Sequence, residues 1–134
     1  RGGRSGASPA FAAAEADNAR VLQLLIGAGA DLDRPNGNGC TPVYAAALRG
    51  SIASLQLLLL ARADAGRANR EGATPLHAAA RANGAASVQL LLAARARVDP
   101  VSRGGATPLC EAARHNSAEA AALLLRAGAD AGGP

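Results

Sequence analysis

Apolar and polar residues in this chain come in blocks. An Ala-rich octad follows a Pro, two polar or small residues interrupt it, a Leu-rich block comes next, and a stretch of Gly, Asn and Asp closes the cycle. The cycle repeats. Ser8-Pro9, Thr41-Pro42, Thr74-Pro75 and Thr107-Pro108 stand 33 residues apart, and Gly6, Gly39, Gly72 and Gly105 precede each Ser or Thr by two positions. Self-similarity at such a period marks an array of stacked units rather than a single irregular core.

Each unit reads as loop, helix, tight turn, helix. The Ser or Thr can cap a first helix by accepting a backbone N–H, and Pro in the first turn gives up no donor the helix needs. Helix A therefore starts at the Pro. It is expected to end near Asp17, Gly50, Asn83 and Asn116, residue types that tolerate the left-handed conformation of a helix C-terminus. Asn18, Ser51, Gly84 and Ser117 follow at once and are accepted N-caps for an antiparallel helix B. Helix B carries Leu22, Leu24, Leu25 and Ile26, then Leu55, Leu57, Leu58 and Leu59, then Val88, Leu90, Leu91 and Leu92, then Leu123, Leu124 and Leu125. So wide an apolar surface needs cover from its own helix A and from the next unit. Ala12 to Ala14, Ala45 to Ala47, Ala78 to Ala80 and Ala112 to Ala113 on helix A allow close backbone approach. Segments such as Asp31 to Gly39 and Asp64 to Gly72 lack strand-like alternation and read as protruding turns.

Together these residues resemble the ankyrin repeat, whose units read G-x-T-P-L-H-x-A-A followed by a V-x-L-L-L-x-x-G-A block. Gly72-Ala73-Thr74-Pro75-Leu76-His77-Ala78-Ala79 matches the first part closely. The resemblance implies an all-α solenoid of four stacked helix-turn-helix repeats with protruding β-turn or hairpin loops. It covers residues 1–134 as one domain, with units at about 3–35, 36–68, 69–101 and 102–134. Neither end unit carries the polar outer face of a capping repeat, so the chain is expected to be a piece of a longer array.

Three departures from the pattern carry expectations. The Gly that closes helix B is present as Gly29 and Gly128, but Arg62 and Arg95 replace it in the middle units. A left-handed non-Gly residue there costs on the order of 1 kcal/mol, so the middle units are expected to frame this turn differently. The His after Thr-Pro-Leu occurs only as His77, with Phe11, Tyr44 and Cys110 in its place, so its bonds brace one repeat in four. Ala121 stands where Leu22, Leu55 and Val88 occupy helix B. If that site is enclosed, roughly 2–3 kcal/mol of burial is lost and the last repeat frays first.

Composition removes most other classes. Two cysteines form neither a disulfide framework nor a CxxC pair, and Cys40 and Cys110 stand two units apart. At about 10 Å per unit they lie beyond the roughly 7 Å Cα limit of a disulfide, and a reducing intracellular compartment, cytoplasmic or nuclear, is favoured. Apolar runs such as Leu57 to Ala61 fall far below the roughly 20 residues of a membrane span. No apolar segment follows Arg1 and Arg4 as in a signal peptide. With only His77 and His115 available, no zinc-spaced His/Cys set exists, and no phosphate-loop glycine motif links a strand to a helix. The reading is therefore non-enzymatic, with no metal and no cofactor.

What remains is a surface. The resemblance implies that a protein partner meets the turn tips and the exposed side of helix A, on the concave face. Those positions are Arg4, Glu15, Asn38, Leu48, Arg49, Arg70, Glu71, Arg81, Arg103, Arg114 and His115, with Ser5 and Cys40 beside them. All 14 basic residues are Arg and the net charge is +4. Arg49, Arg81 and Arg114 are expected to line up as a stripe able to grip carboxylates in a monomeric adaptor or scaffold, although genome bias toward Arg explains the same composition. Tyr44 is expected to pack within its own repeat. A recognition array attached to an enzyme or channel is the alternative reading. Polyanion or nucleic-acid binding is disfavoured because almost no aromatics are present to stack on bases.

Overall fold

The computed structural model describes residues 6–133. Eight helices follow in chain order: α1 (Pro9–Glu15), α2 (Ala19–Gly27), α3 (Pro42–Arg49), α4 (Ile52–Leu60), α5 (Pro75–Arg81), α6 (Ala85–Ala93), α7 (Pro108–Arg114) and α8 (Ala118–Arg126). No strand occurs among the described residues, and no described helix is long and apolar enough to cross a membrane. The odd-numbered A helices pack one on the next, each also against its own B helix, and the B helices form a second layer. This is a stack of four repeats.

Local chemistry sets the helix starts. Ser8, Thr41, Thr74 and Thr107 lie in extended conformation, and each side chain accepts the N–H three residues on, from Phe11, Tyr44, His77 and Cys110. A Pro follows every cap. The helices end as the residue types require, with Asp17, Gly50, Asn83 and Asn116 all left-handed at φ 56°, 70°, 54° and 55°.

The second helix departs from expectation. Asn18, Ser51, Gly84 and Ser117 precede the B helices, but none makes a side-chain capping bond. Ser51 Oγ donates to the Glu15 carbonyl and Ser117 Oγ to the Arg81 carbonyl, so these hydroxyls tie a repeat to its predecessor. The capping comes from the predecessor as well. Asp17 Oδ1 accepts from Ser54 N at 3.1 Å, and Asn83 Oδ1 accepts from Ala120 N at 3.2 Å.

The expected reframing of the turns after α4 and α6 does not occur. Arg62 and Arg95 adopt φ 66° and 67°, in the same region as Gly29 at 78° and Gly128 at 97°. The N–H of the next residue reaches back to the same carbonyl in all four repeats, Ala30 to Leu25, Ala63 to Leu58, Ala96 to Leu91 and Ala129 to Leu124. Packing and this six-to-one bond hold the two arginines left-handed despite the steric cost.

The core lies between the two helical layers. Leu22, Leu55, Leu58, Leu76, Val88, Leu91 and Leu124 are enclosed, and Ala14, Ala46, Ala47, Ala79 and Ala80 fill the contacts between A helices. Cover of the B helices is narrower than the run of leucines suggested. Leu60 is 81% exposed and Leu24 73%, because their positions point away from both neighbouring helices. Ala121 is only partly covered, so the full burial loss expected there does not arise.

Candidate functional site

The A helices and hairpin tips present one face. Each hairpin is closed by a polar residue at its base: Asn36, Asn69 and Ser102 bond reciprocally to the main chain of Cys40, Ala73 and Ala106. Gly39 and Gly72 are left-handed at the tips, and a Cβ on either would stand 3.0 and 3.1 Å from the backbone nitrogens of Arg70 and Arg103. Glycine is needed for the tips to nest. Arg70 N then donates to the Asn38 carbonyl and Arg103 N to the Glu71 carbonyl, which sets the spacing of the side chains above.

A groove of about 270 Å³ lies between hairpins and A helices across repeats 2 to 4. Tyr44, Asn69, Glu71, Arg81, Glu111 and Arg114 line it. Burial holds the Tyr44 phenol above its ordinary range, and the neighbouring Cys40 thiol is likewise raised by burial. Asn69 Nδ2 donates to Cys40 Sγ at 3.6 Å, fixing the floor of this end.

Of the positions expected to meet a partner, Arg4 lies outside the described residues. Glu15, Asn38, Leu48, Arg49, Arg70, Glu71, Arg81, Arg103, Arg114 and His115 are all exposed. Glu71, Arg81 and Arg114 come together in the groove. The three-arginine stripe does not form as expected. Arg81 and Arg114 are each the last residue of their helices, yet Leu48 holds the equivalent place in repeat 2 and Arg49 stands one residue further round. Arg49 pairs with Glu15 at 3.2 Å, and Arg114 with Glu111 at 3.6 Å. Arg70, Arg81 and Arg103 have no ion-pair partner among the described residues.

Sequence reasoning missed Asn69, Glu111 and the groove role of Tyr44. Tyr44 is half-buried rather than packed away, and its ring lines the groove. Glu111 left a signal, since it is the one charged residue at a position that is Ala12, Ala45 and Ala78 in the other repeats.

His77 is structural. It is 2% exposed, and its Nε2 donates to the Ala106 carbonyl at 2.8 Å, since a carbonyl can only accept. Nδ1 is then free to accept from the Thr74 N–H and hydroxyl, both at 3.0 Å, completing a capping box. Burial, the largest influence, lowers the His77 pKa, while the Ala106 bond and Glu111 pull it back up. Both cysteines are free thiols, and no group of three metal-ligating side chains comes together among the described residues.

The family model described as ankyrin repeats (3 copies) matches residues 44–132, and one described as ankyrin repeats (many copies) matches residues 10–59. The chain belongs to the ankyrin-repeat family. Ankyrin repeats are generally protein–protein interaction modules and typically non-catalytic, which agrees with a face built of exposed side chains on stacked helices. No curated protein matches the chain closely enough to serve as a relative.

Proposed function

We propose that these ankyrin repeats act as one non-catalytic unit that holds a protein segment in the groove between hairpins and A helices, and that this segment carries acidic groups. The observation that carries the reading is that Arg81 lines the groove with Tyr44 while Arg70 and Arg103 stand exposed on the adjoining hairpins, all three without internal ion pairs among the described residues. Guanidinium groups free of internal partners can take carboxylates bidentately, and Tyr and Arg are the side chains that most often anchor interfaces. Glu71 and Glu111 in the same groove would select the spacing of those acids by repelling misplaced ones.

Selection from a random peptide library, with anisotropy on the selected peptides, tests this. Selected peptides rich in Asp and Glu, whose affinity falls at least about tenfold in Arg70→Glu/Arg81→Glu/Arg103→Glu while Arg20→Glu/Arg126→Glu on the B helices has little effect, are the expected result. Peptides without acidic enrichment, or equal losses in both variants, would overturn it.

A further inference from the structure

Polar ties between consecutive repeats follow a pattern of two, not of one. At the interface of repeats 1 and 2, Asp17 Oδ1 accepts from Ser54 N and Ser54 Oγ, Ser51 Oγ reaches the Glu15 carbonyl, and Asp33 Oδ1 accepts from Asp64 N at 2.8 Å. At the interface of repeats 3 and 4 the same three positions act again. Asn83 caps Ala120, Ser117 reaches the Arg81 carbonyl, and Asp99 Oδ2 accepts from Asp130 N at 3.2 Å. Between repeats 2 and 3 all three positions are glycine: Gly50, Gly84 and Gly66.

The loss leaves a mark. Ser87, the counterpart of Ser54, is wholly buried, and its hydroxyl has no hydrogen-bond partner, because Gly50 offers no carboxylate where Asp17 does. Helix packing follows the same rhythm. α1 touches α4 and α5 touches α8, while α3 and α6 approach each other less. A groove of about 550 Å³ lined by Gln56, Leu59, Leu60, Leu90, Ala93 and Ala94 opens between α4 and α6, larger than the 270 Å³ of its counterpart between α2 and α4. On the opposite side the interface is intact, with α3 packed on α5 and Arg70 N bonded to the Asn38 carbonyl as at the next interface.

We infer that the array is two clasped pairs, repeats 1–2 and 3–4, joined at a glycine seam that hinges about its A-helix and hairpin side and opens between α4 and α6. Three missing clasps, one of which leaves the Ser87 hydroxyl buried and unpaired, lower the cost of local opening at this interface relative to its neighbours. Tyr44 and Arg81 stand on opposite sides of the seam, so its motion sets the width of the groove they share. The seam does not depend on what that groove binds.

Gln23, Gln56, Gln89 and Ala122 occupy one exposed position in successive B helices and suit a direct test. Spin labels on cysteines placed pairwise at these sites, in a chain carrying Cys40→Ser and Cys110→Ser, report each interface by electron paramagnetic resonance. The 56/89 pair is expected to give the broadest distance distribution. In Gly50→Asp/Gly66→Asp/Gly84→Ser it narrows to match the 23/56 pair, and in Asp17→Gly the 23/56 pair broadens. A Cβ at each of the three glycines meets nothing closer than 3.5 Å, and at Gly50, left-handed at φ 70°, the Asp would adopt the strained conformation that Asp17 already holds at φ 56° in repeat 1. Three equally broad distributions in the unclasped chain, or a 56/89 distribution unmoved by the clasps, would overturn the inference.

Discussion

Repeats 2 and 3 begin their A helices on the same backbone and differ by one ring. Thr41 and Thr74 have the same extended conformation, the same bond to the N–H three residues on and the same following Pro. At that third position repeat 3 has His77, which bends back onto Thr74 and forward onto Ala106 and is enclosed. Repeat 2 has Tyr44, which cannot close the box and lines the groove half-exposed. One position thus serves as a rivet in one unit and as presented surface in the next. A repeat fold separates these roles because the cap and the stacking already fix the backbone, leaving the ring free to change.

The largest test removes the rivet. His77→Ala deletes the bonds to Thr74 N and to the Ala106 carbonyl and leaves both buried, which is expected to cost about 2–4 kcal/mol in urea unfolding followed by circular dichroism. Tyr44→Ala, by contrast, opens no enclosed site and is expected to cost under about half of that. Equal losses would erase the distinction between the two roles.

Acid probes the same rivet more gently. Because burial depresses the pKa of His77 below its ordinary 6.5, the unfolded chain binds the proton more tightly than the folded one. The contribution is complete above about pH 6.5 and is lost as pH falls from there toward the depressed folded value. The loss is bounded by that of His77→Ala, since a protonated ring can at worst leave its site. Stability measured from pH 7.5 downward is expected to fall in the parent chain, and the His77 part of this fall to vanish in His77→Ala.

Transplanting the rivet reverses the comparison. In Tyr44→His, Nε2 would face the carbonyl of Ala73, the residue equivalent to Ala106, and Nδ1 would face Thr41. A gain of about 1 kcal/mol is expected, together with a steeper loss of stability in acid and weaker binding in the groove. A gain without weaker binding would show that Tyr44 contributes nothing to the surface.

How much of this was legible in the sequence follows from distance along the chain. The starts and ends of the A helices depend on residues within three or four positions of each other, Ser8 with Phe11 or Thr74 with His77, and so they stood in the pattern of caps, prolines and left-handed formers. The caps of the B helices did not. Asp17 acts on Ser54, 37 residues away, and only the stacked geometry reveals that Asn18, Ser51, Gly84 and Ser117 are bypassed. The stripe failed for a related reason. A helix turns about 100° per residue, so the single step from Leu48 to Arg49 takes the guanidinium off the line of Arg81 and Arg114 and onto Glu15.

The smallest test uses a feature that repeats 2 and 3 share. Arg62 and Arg95 hold a left-handed conformation that Gly29 and Gly128 adopt without strain, and each arginine is exposed with no ion pair among the described residues. Replacing either by Gly removes a steric cost of about 1 kcal/mol or more, while the added freedom of Gly in the unfolded chain takes back about half to nearly all of it. A net gain of about 0.5 kcal/mol per site is therefore expected in urea unfolding, equal at the two positions because both turns make the same six-to-one bond. An unequal gain would mean that one arginine contributes something the turn geometry does not account for. A larger gain at position 62 than at 95 would locate that contribution in repeat 3, the unit already riveted by His77.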